Sequence, residues 1–334
     1  MRPTLTRRSV IGAALAMPAI RPAFAEVSEV LIAKQFGTLY MQQDVMEQLH
    51  LIEKHGARLG LPGLKASYIR LAGTGPVQDG LLSGKLHFAS GGAPGALLLW
   101  DRSRGAVKST FAMNATNQKL VTVNPKLQTV RDLAPEDRIA LPAVKTSPQA
   151  IWLQMAAASA WGKDQWSRYD AQTISRAHPD SMAQMLARTE ITCHWSSTPF
   201  QERELAAPGV RELANSFDVM QMPSVTPNTI YGNNAFRSEN PIAWRATLAA
   251  FQEATDFINA NPRQAAELYL VSSGDKDTPD AVVASMQSPG NKFTLQPAGL
   301  MKIAQFMADT GVLRRRPEKL ADLFFPEAGE LGGS

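Results

Sequence analysis

Cysteine occurs once in this 334-residue chain, at Cys193, so no internal disulfide can form; far from the N-terminus, it cannot be a lipid-bearing N-terminal cysteine either. Histidine numbers only five, and His50 with His55 are five apart, off the spacing that sets two metal ligands on one helix face. No metal cluster is expected. No apolar run reaches the roughly 20 residues that a membrane-spanning helix needs. No repeat or low-complexity run accounts for the 22 prolines and 23 glycines, which excludes disorder away from the ends. Basic runs are lacking beyond Arg314-Arg315-Arg316, which reads as a solvated face. That leaves little to hold nucleic acid or an anionic membrane. There is no G-x-S-x-G nucleophile elbow, and Asp79, Asp101, Asp132 and Glu136 read as helix-start or loop acids rather than a catalytic pair. Catalytic groups assembled from distant positions stay open.

What is present begins with Thr6-Arg7-Arg8-Ser9, the apolar run Val10 to Ile20 and Ala23-Phe24-Ala25 before Glu26. This is the pattern of a signal peptide, residues 1–25, cleaved after Ala25. It resembles a twin-arginine leader, with Val10, Ile11 and Gly12 where that motif shows Phe, Leu and Lys; the general secretory route is the alternative, and both lead out of the cytoplasm. Pro18 inside the run argues against an anchor. Residues 1–25 carry four of the 34 basic residues and none of the 30 acidic ones, so the chain from Glu26 onward is balanced, 30 against 30.

From residue 27, short β-type runs alternate with amphipathic segments, the pattern of successive βα units. Val27 to Ala33, Ala66 to Leu71, Leu86 to Ala89 and Val107 to Met113 read as strands of one α/β unit, with a helix through Met41, Val45, Leu49 and Ile52. A second unit starts at Leu120-Val121-Thr122-Val123 and continues with strands Arg138 to Leu141, Gln172 to Arg176, Glu190 to His194 and Val210 to Leu213. Thr229-Ile230-Tyr231 reads as a returning strand. After residue 236 the pattern is helical, without a strand. A helical tail must pack on an existing sheet; on the first, it makes the chain cross twice between lobes, near 116 and 230. The expected division is 26–116 and 235–334 for one lobe and 117–234 for the other, with a two-strand hinge and a cleft where the carboxyl ends of strands face each other.

Several segments in this order resemble the nitrate/taurine/sulfonate branch of ABC-importer solute-binding proteins, which includes binders of thiamine-pyrimidine precursors. They are Ala33-Lys34-Gln35-Phe36-Gly37, Leu81-Leu82-Ser83-Gly84-Lys85-Leu86-His87-Phe88-Ala89-Ser90-Gly91-Gly92, Asp137-Arg138-Ile139-Ala140-Leu141-Pro142-Ala143, His178-Pro179-Asp180, Glu190-Ile191-Thr192-Cys193-His194-Trp195 and Phe236-Arg237-Ser238-Glu239-Asn240-Pro241. The resemblance implies a two-lobed type II periplasmic binding fold. It implies ligand contacts at Phe36, Thr38 and Tyr40; at Gly73, Thr74 and Gly75; and at Ser90 and Gly91. From the other lobe it implies Lys145, Thr146 and Ser147, His178, His194 and Trp195, with Thr116 and Asn117 in the hinge.

The residues themselves support part of this set. Ser147 before Pro148 and the apolar period of Ile151 and Met155 reads as a helix N-cap, where free N–H groups, the helix dipole and the Lys145 ammonium suit an anion; the alternative is a cap alone. Ser90-Gly91-Gly92 lets backbone approach a ligand or a neighbouring strand. Gly73-Thr74-Gly75 has Gln78 where a dinucleotide loop has its third glycine, so a nucleotide is rejected. Cys193 and His194 point to opposite faces of a strand, with Cys193 buried and His194 or Trp195 toward the cleft; Trp195 offers a stacking surface or serves the core.

The reading expected from the sequence is a periplasmic, monomeric binding protein without cofactor or metal. It captures a small anionic, aromatic or heterocyclic solute by hinge closure and delivers it to an inner-membrane permease and ATPase. The rivals are a thiamine-pyrimidine-synthesis-like enzyme on the same fold, which the single cysteine and the leader count against, and a periplasmic ligand sensor.

Overall fold

The computed structural model describes residues 26–71 and 75–328; the expected leader, Gly73 and Thr74 lie outside them. The alternating pattern forms two five-stranded sheets. The first runs in the order Lys65–Arg70, Glu29–Lys34, Phe88–Gly92, Asn228–Asn233, Val107–Ala112, and the second in the order Arg211–Asn215, Lys119–Thr122, Cys193–Trp195, Ile139–Leu141, Thr173–Ser175. Glu29–Lys34 pairs in parallel with Lys65–Arg70 and Phe88–Gly92, and Ile139–Leu141 with Thr173–Ser175 and Cys193–Trp195, whereas Asn228–Asn233 and Lys119–Thr122 run antiparallel to their neighbours. One core packs Ile32, Phe88 and Ile230 of the first sheet against Trp244 and Phe251 of the helix Pro241–Ala260. Another packs Leu120, Ile139, Cys193 and Trp195 of the second sheet against Ile151 and Trp152 of the helix Pro148–Trp161.

The chain leaves the first sheet after Ala112 and returns before Asn228. The two crossing segments lie side by side, with Met113 N donating to Asn228 O and Thr116 N to Val225 O, both at 3.1 Å. Because Asn228–Asn233 pairs wholly within the first sheet, the return falls ahead of the expected boundary at 234. The tail also departs from the all-helical pattern of its sequence. A two-residue strand, Lys292–Phe293, pairs with Asn114–Ala115 at the crossing, and Thr226 N donates to Ala298 O at 2.9 Å. Two residues between Gly290 and a polar stretch show no period that would reveal a strand.

The last helix, Leu300–Asp309, buries Leu300, Ile303, Ala304 and Met307 in the core that holds Trp152 and Leu97, so it bridges both sheets' helices rather than covering the first alone. Beyond it the arginine run is not simply solvated. Arg314 N and Arg315 N donate to the Asp101 carboxylate (3.0 and 3.1 Å), the Arg315 guanidinium lies 4.2 Å over the Trp100 ring, and Arg316 pairs with Asp309. At the other end, the Glu26 carboxylate accepts from Ile242 N and Ala243 N at 2.8–2.9 Å, capping the 20-residue helix Pro241–Ala260. The helix expected through Ile52 is two, Met41–Gln48 and Leu51–Arg58, because His50 between them is in the left-handed region (φ 49°). Among the described residues no helix is long and apolar enough to cross a membrane.

Candidate functional site

Loops beyond the ends of parallel strands in both sheets meet at one place. Gln35 and Phe36 follow Glu29–Lys34, Gly92 ends Phe88–Gly92, Pro142 and Ala143 follow Ile139–Leu141, and Ser197 follows Cys193–Trp195. With Leu39 from the turn Thr38–Tyr40, and Gln118 and Asn228 from the crossing region, they enclose a cavity of about 40 Å³. The remaining lining is more telling: Tyr40, Gly92, Ser147 and Ala177 are the N-cap residues of four helices, Met41–Gln48, Ala93–Arg102, Pro148–Trp161 and His178–Leu186. Only Ser147 caps its helix with its side chain, accepting from Ala150 N at 3.2 Å. Four positive dipole ends thus converge, and among the described residues no Asp, Glu, Lys or Arg side chain lines the cavity.

Its polar groups are amides, hydroxyls and one imidazole. Tyr40 Oη donates to Asn228 Oδ1 at 3.3 Å, and burial pushes its ionisation far above the tyrosine range. Gln149 Nε2 donates to Gln118 Oε1 at 2.8 Å and approaches His178 Nε2 at 3.5 Å. The other nitrogen of His178, Nδ1, lies 2.8 Å from His194 Nε2, and His194 Nδ1 lies 2.6 Å from Glu204 Oε1. His194 and Glu204 are wholly buried. Burial first, and His194 second, hold His178 well below the ordinary histidine range. The Phe200 ring stacks on His178 at 5.7 Å.

A second, more open space of about 360 Å³ adjoins the cavity and shares Gln35 and Phe36 with it. Arg70, Arg203 and Lys276 line this vestibule together with Asp44, Asp275, Tyr269 and Phe200. Asp44 is already held by buried Lys34 at 2.7 Å. Arg203, from the second sheet's helix Phe200–Leu205, reaches Asp275 at 2.7 Å and Asp277 at 2.6 Å on the tail that covers the first.

Of the residues singled out in the sequence, the structure brings Phe36, Tyr40, Ser147 and His178 to the cavity wall. His194 stands one hydrogen bond behind. Trp195 does not reach the cleft: strand alternation turns it with Cys193 into the core beside Trp152, ring centroids 6.1 Å apart. Lys145 is exposed, with φ 63°, and outside the lining, so the ammonium expected beside an anion is absent from the cavity wall. Thr146 turns its hydroxyl to the Val144 carbonyl (3.4 Å). Ser90 is buried in its strand, and Gly91 makes room for a protein group, since a Cβ there would stand 2.9 Å from Tyr231 Oη. Thr38 and Thr116 line a separate space of about 10 Å³ at the crossing, where Thr116 Oγ1 donates to Asn291 Oδ1 at 2.6 Å. Asn117 accepts from Phe217 N at 3.3 Å and also serves the crossing. Gly75 is exposed at the start of the helix Gly75–Leu82.

Gln118, Gln149, Ser197 and Asn228 were missed. Ser197 lies three residues past the strand end read at His194, and Gln149 two past the predicted cap, so reading each loop slightly further finds both. Gln118 and Asn228 flank the crossings and carry no signal of their own.

Solved structures share this arrangement. The alkanesulfonate-binding protein SsuA from Xanthomonas axonopodis pv. citri, bound to MOPS, superposes with a TM-score of 0.68 at 15% identity, over 88% of this chain and 96% of that one. The fold is the type II periplasmic binding-protein fold. The periplasmic nitrate-binding protein NrtA from Synechocystis shares it with a TM-score of 0.66 at 13% identity, over 89% of this chain and 84% of that one. So does a ligand-binding component of an ABC-type import system from Staphylococcus aureus with zinc bound, with a TM-score of 0.66 at 14% identity over 90% and 97%. No protein-family model and no curated protein matches the sequence. In this binding-protein fold the two sheets are the centres of two lobes, and the cavity lies between them.

Proposed function

We propose that the protein is the periplasmic solute-binding component of an ABC importer, acting as a monomer that captures a small organic anion between its lobes and presents it to a membrane permease and its ATPase. The convergence of four helix N-termini on a cavity that no carboxylate lines among the described residues carries this reading, because such a site compensates negative charge with dipoles and N–H groups instead of a salt bridge. The alkanesulfonate- and nitrate-binding neighbours, both receptors for anions, support it. At about 40 Å³ the cavity has room for about three waters. It therefore suits a compact head group, with a longer apolar part passing Phe36 into the vestibule beside Phe200 and Tyr269. A sulfonate or carboxylate with a short alkyl or aryl tail fits both spaces.

Closure about the crossing strands is the transport step. The lobes divide at these strands, with the first built on the sheet that contains Asn228–Asn233. Thermal unfolding against alkane- and arylsulfonates, nitrate, carboxylates, neutral sugars and amines tests the reading. Expected is a dose-dependent rise in the midpoint for one class of anion. A rise only with sugars or amines, or turnover of an added compound, overturns it.

A further inference from the structure

Behind the cavity wall lies a chain of titratable groups that simple anion capture does not use. Glu204, His194 and His178 are linked at 2.6 and 2.8 Å, the first two fully buried and the third opening on the cavity. A carboxylate only accepts, so His194 donates from Nδ1 to Glu204; its Nε2 then accepts from His178 Nδ1–H. This leaves the lone pair of His178 Nε2 on the side of Gln149, which also lines the cavity. Both N–H groups of the relay therefore point toward Glu204, and the lone pair of His178 Nε2 is left beside Gln149 at the cavity wall.

We infer that His178 Nε2 takes up one proton as an anion enters the cavity, so that capture is proton-coupled through the buried Glu204–His194–His178 chain; this rests on the anion-binding reading above. The bond formed is Nε2–H, the proton coming from solvent, and no other bond changes. The new imidazolium donates to the anion, while the Glu204 carboxylate, two hydrogen bonds away, balances its charge in surroundings that would otherwise disfavour a buried cation. Among the described residues no lysine or arginine lines the cavity wall to do so.

The surrounding charges leave this role to His178. Asp180 on its own helix is exposed. On the facing helix Glu202 accepts from Gln201, and Arg203 is held by Asp275 and Asp277. Lys119 on the adjoining strand pairs with Glu212, Arg176 beyond the next strand with Glu190, and Cys193 donates to Thr122. Across the cavity Tyr40 donates to Asn228.

The sign comes from the free state, in which burial and then His194 keep His178 neutral. Affinity is highest at low pH and falls as pH rises through the window between the free and loaded protonation midpoints, by up to about tenfold per pH unit. Methanesulfonate and nitrate, which stay ionised across this range, are the probes. Their titration calorimetry between pH 5 and 8, in buffers of different ionisation enthalpy, should show close to one proton taken up per anion within that window. His178→Gln should bind with little pH dependence and no uptake, and Glu204→Gln should flatten the profile while His178 itself is intact. Binding that is independent of pH in the native protein, or pH-dependent binding retained in both variants, overturns the proton coupling and leaves the anion reading standing. Failure of these two anions and of every other anion in the unfolding panel to bind at every pH overturns the two together.

Discussion

Gly92 of the first sheet and Pro148 of the second sheet's helix meet across the cleft, and a Cβ at residue 92 would lie 2.6 Å from Pro148 Cδ. A proline ring cannot swing aside as a long side chain can. Gly92→Ala should therefore prop the lobes apart, by overpacking of about 1–3 kcal/mol acting on closure. Solute affinity should fall roughly tenfold or more while thermal stability changes little, and small-angle scattering should show a larger radius of gyration with ligand than the native protein has. Native affinity in the variant would mean that this contact does not limit closure.

Arg203 ties the lobes at the cleft mouth through Asp275 and Asp277. All three side chains are partly buried, so salt screens these pairs less than it screens exposed ones. Arg203→Gln should speed solute release by about tenfold, a loss of about 1.4 kcal/mol from the closed state. Association should change less. Stopped-flow dissociation measures the first, and equal release rates in both proteins would remove the latch.

The native state without ligand should be acid-sensitive through His178. Its imidazole is held well below its ordinary value of 6.5 by burial and by His194. The unfolded chain then binds more protons below pH 6.5, so this group's contribution is present above that value and is lost as pH falls beneath it. The slope approaches about 1.4 kcal/mol per pH unit. Urea unfolding of native protein and His178→Gln from pH 7.5 to 5 should show the difference narrowing as the native protein loses stability.

Cys193 should resist thiol reagents. Burial raises its ionisation to about 11, despite hydrogen bonds with Thr122 and Thr192 that lower it. Labelling by iodoacetamide at pH 8 should follow global unfolding in urea, and rapid labelling in native buffer would show that the second core opens locally.

Glu26→Gln should lower stability by about 1 kcal/mol, since its carboxylate accepts from Ile242 N and Ala243 N at the start of a 20-residue helix. This residue directly follows the expected cleavage site. Thermal unfolding reads the loss, and an unchanged midpoint would make the cap dispensable.

Two α/β units and the cap formed by Ser147 with Pro148 were legible in the sequence, because period, turn residues and capping are local. The strand Lys292–Phe293 was not, since its two residues are defined only by pairing with Asn114–Ala115. Trp195 and His194 show the same division within one strand. Alternation puts them on opposite faces, but which face meets the cleft depends on Trp152 packing against one side and Glu204 lying on the other.

The sequence by itself thus determined most of the strand and helix pattern and the polar strand-end loops. Only the tertiary structure decided that four helices point their N-termini at one cavity, and that Glu204, ten residues past His194 and 26 past His178, completes a chain to it. Helix direction and the approach of distant side chains are set by how the two sheets pack and cross, and no local period encodes that.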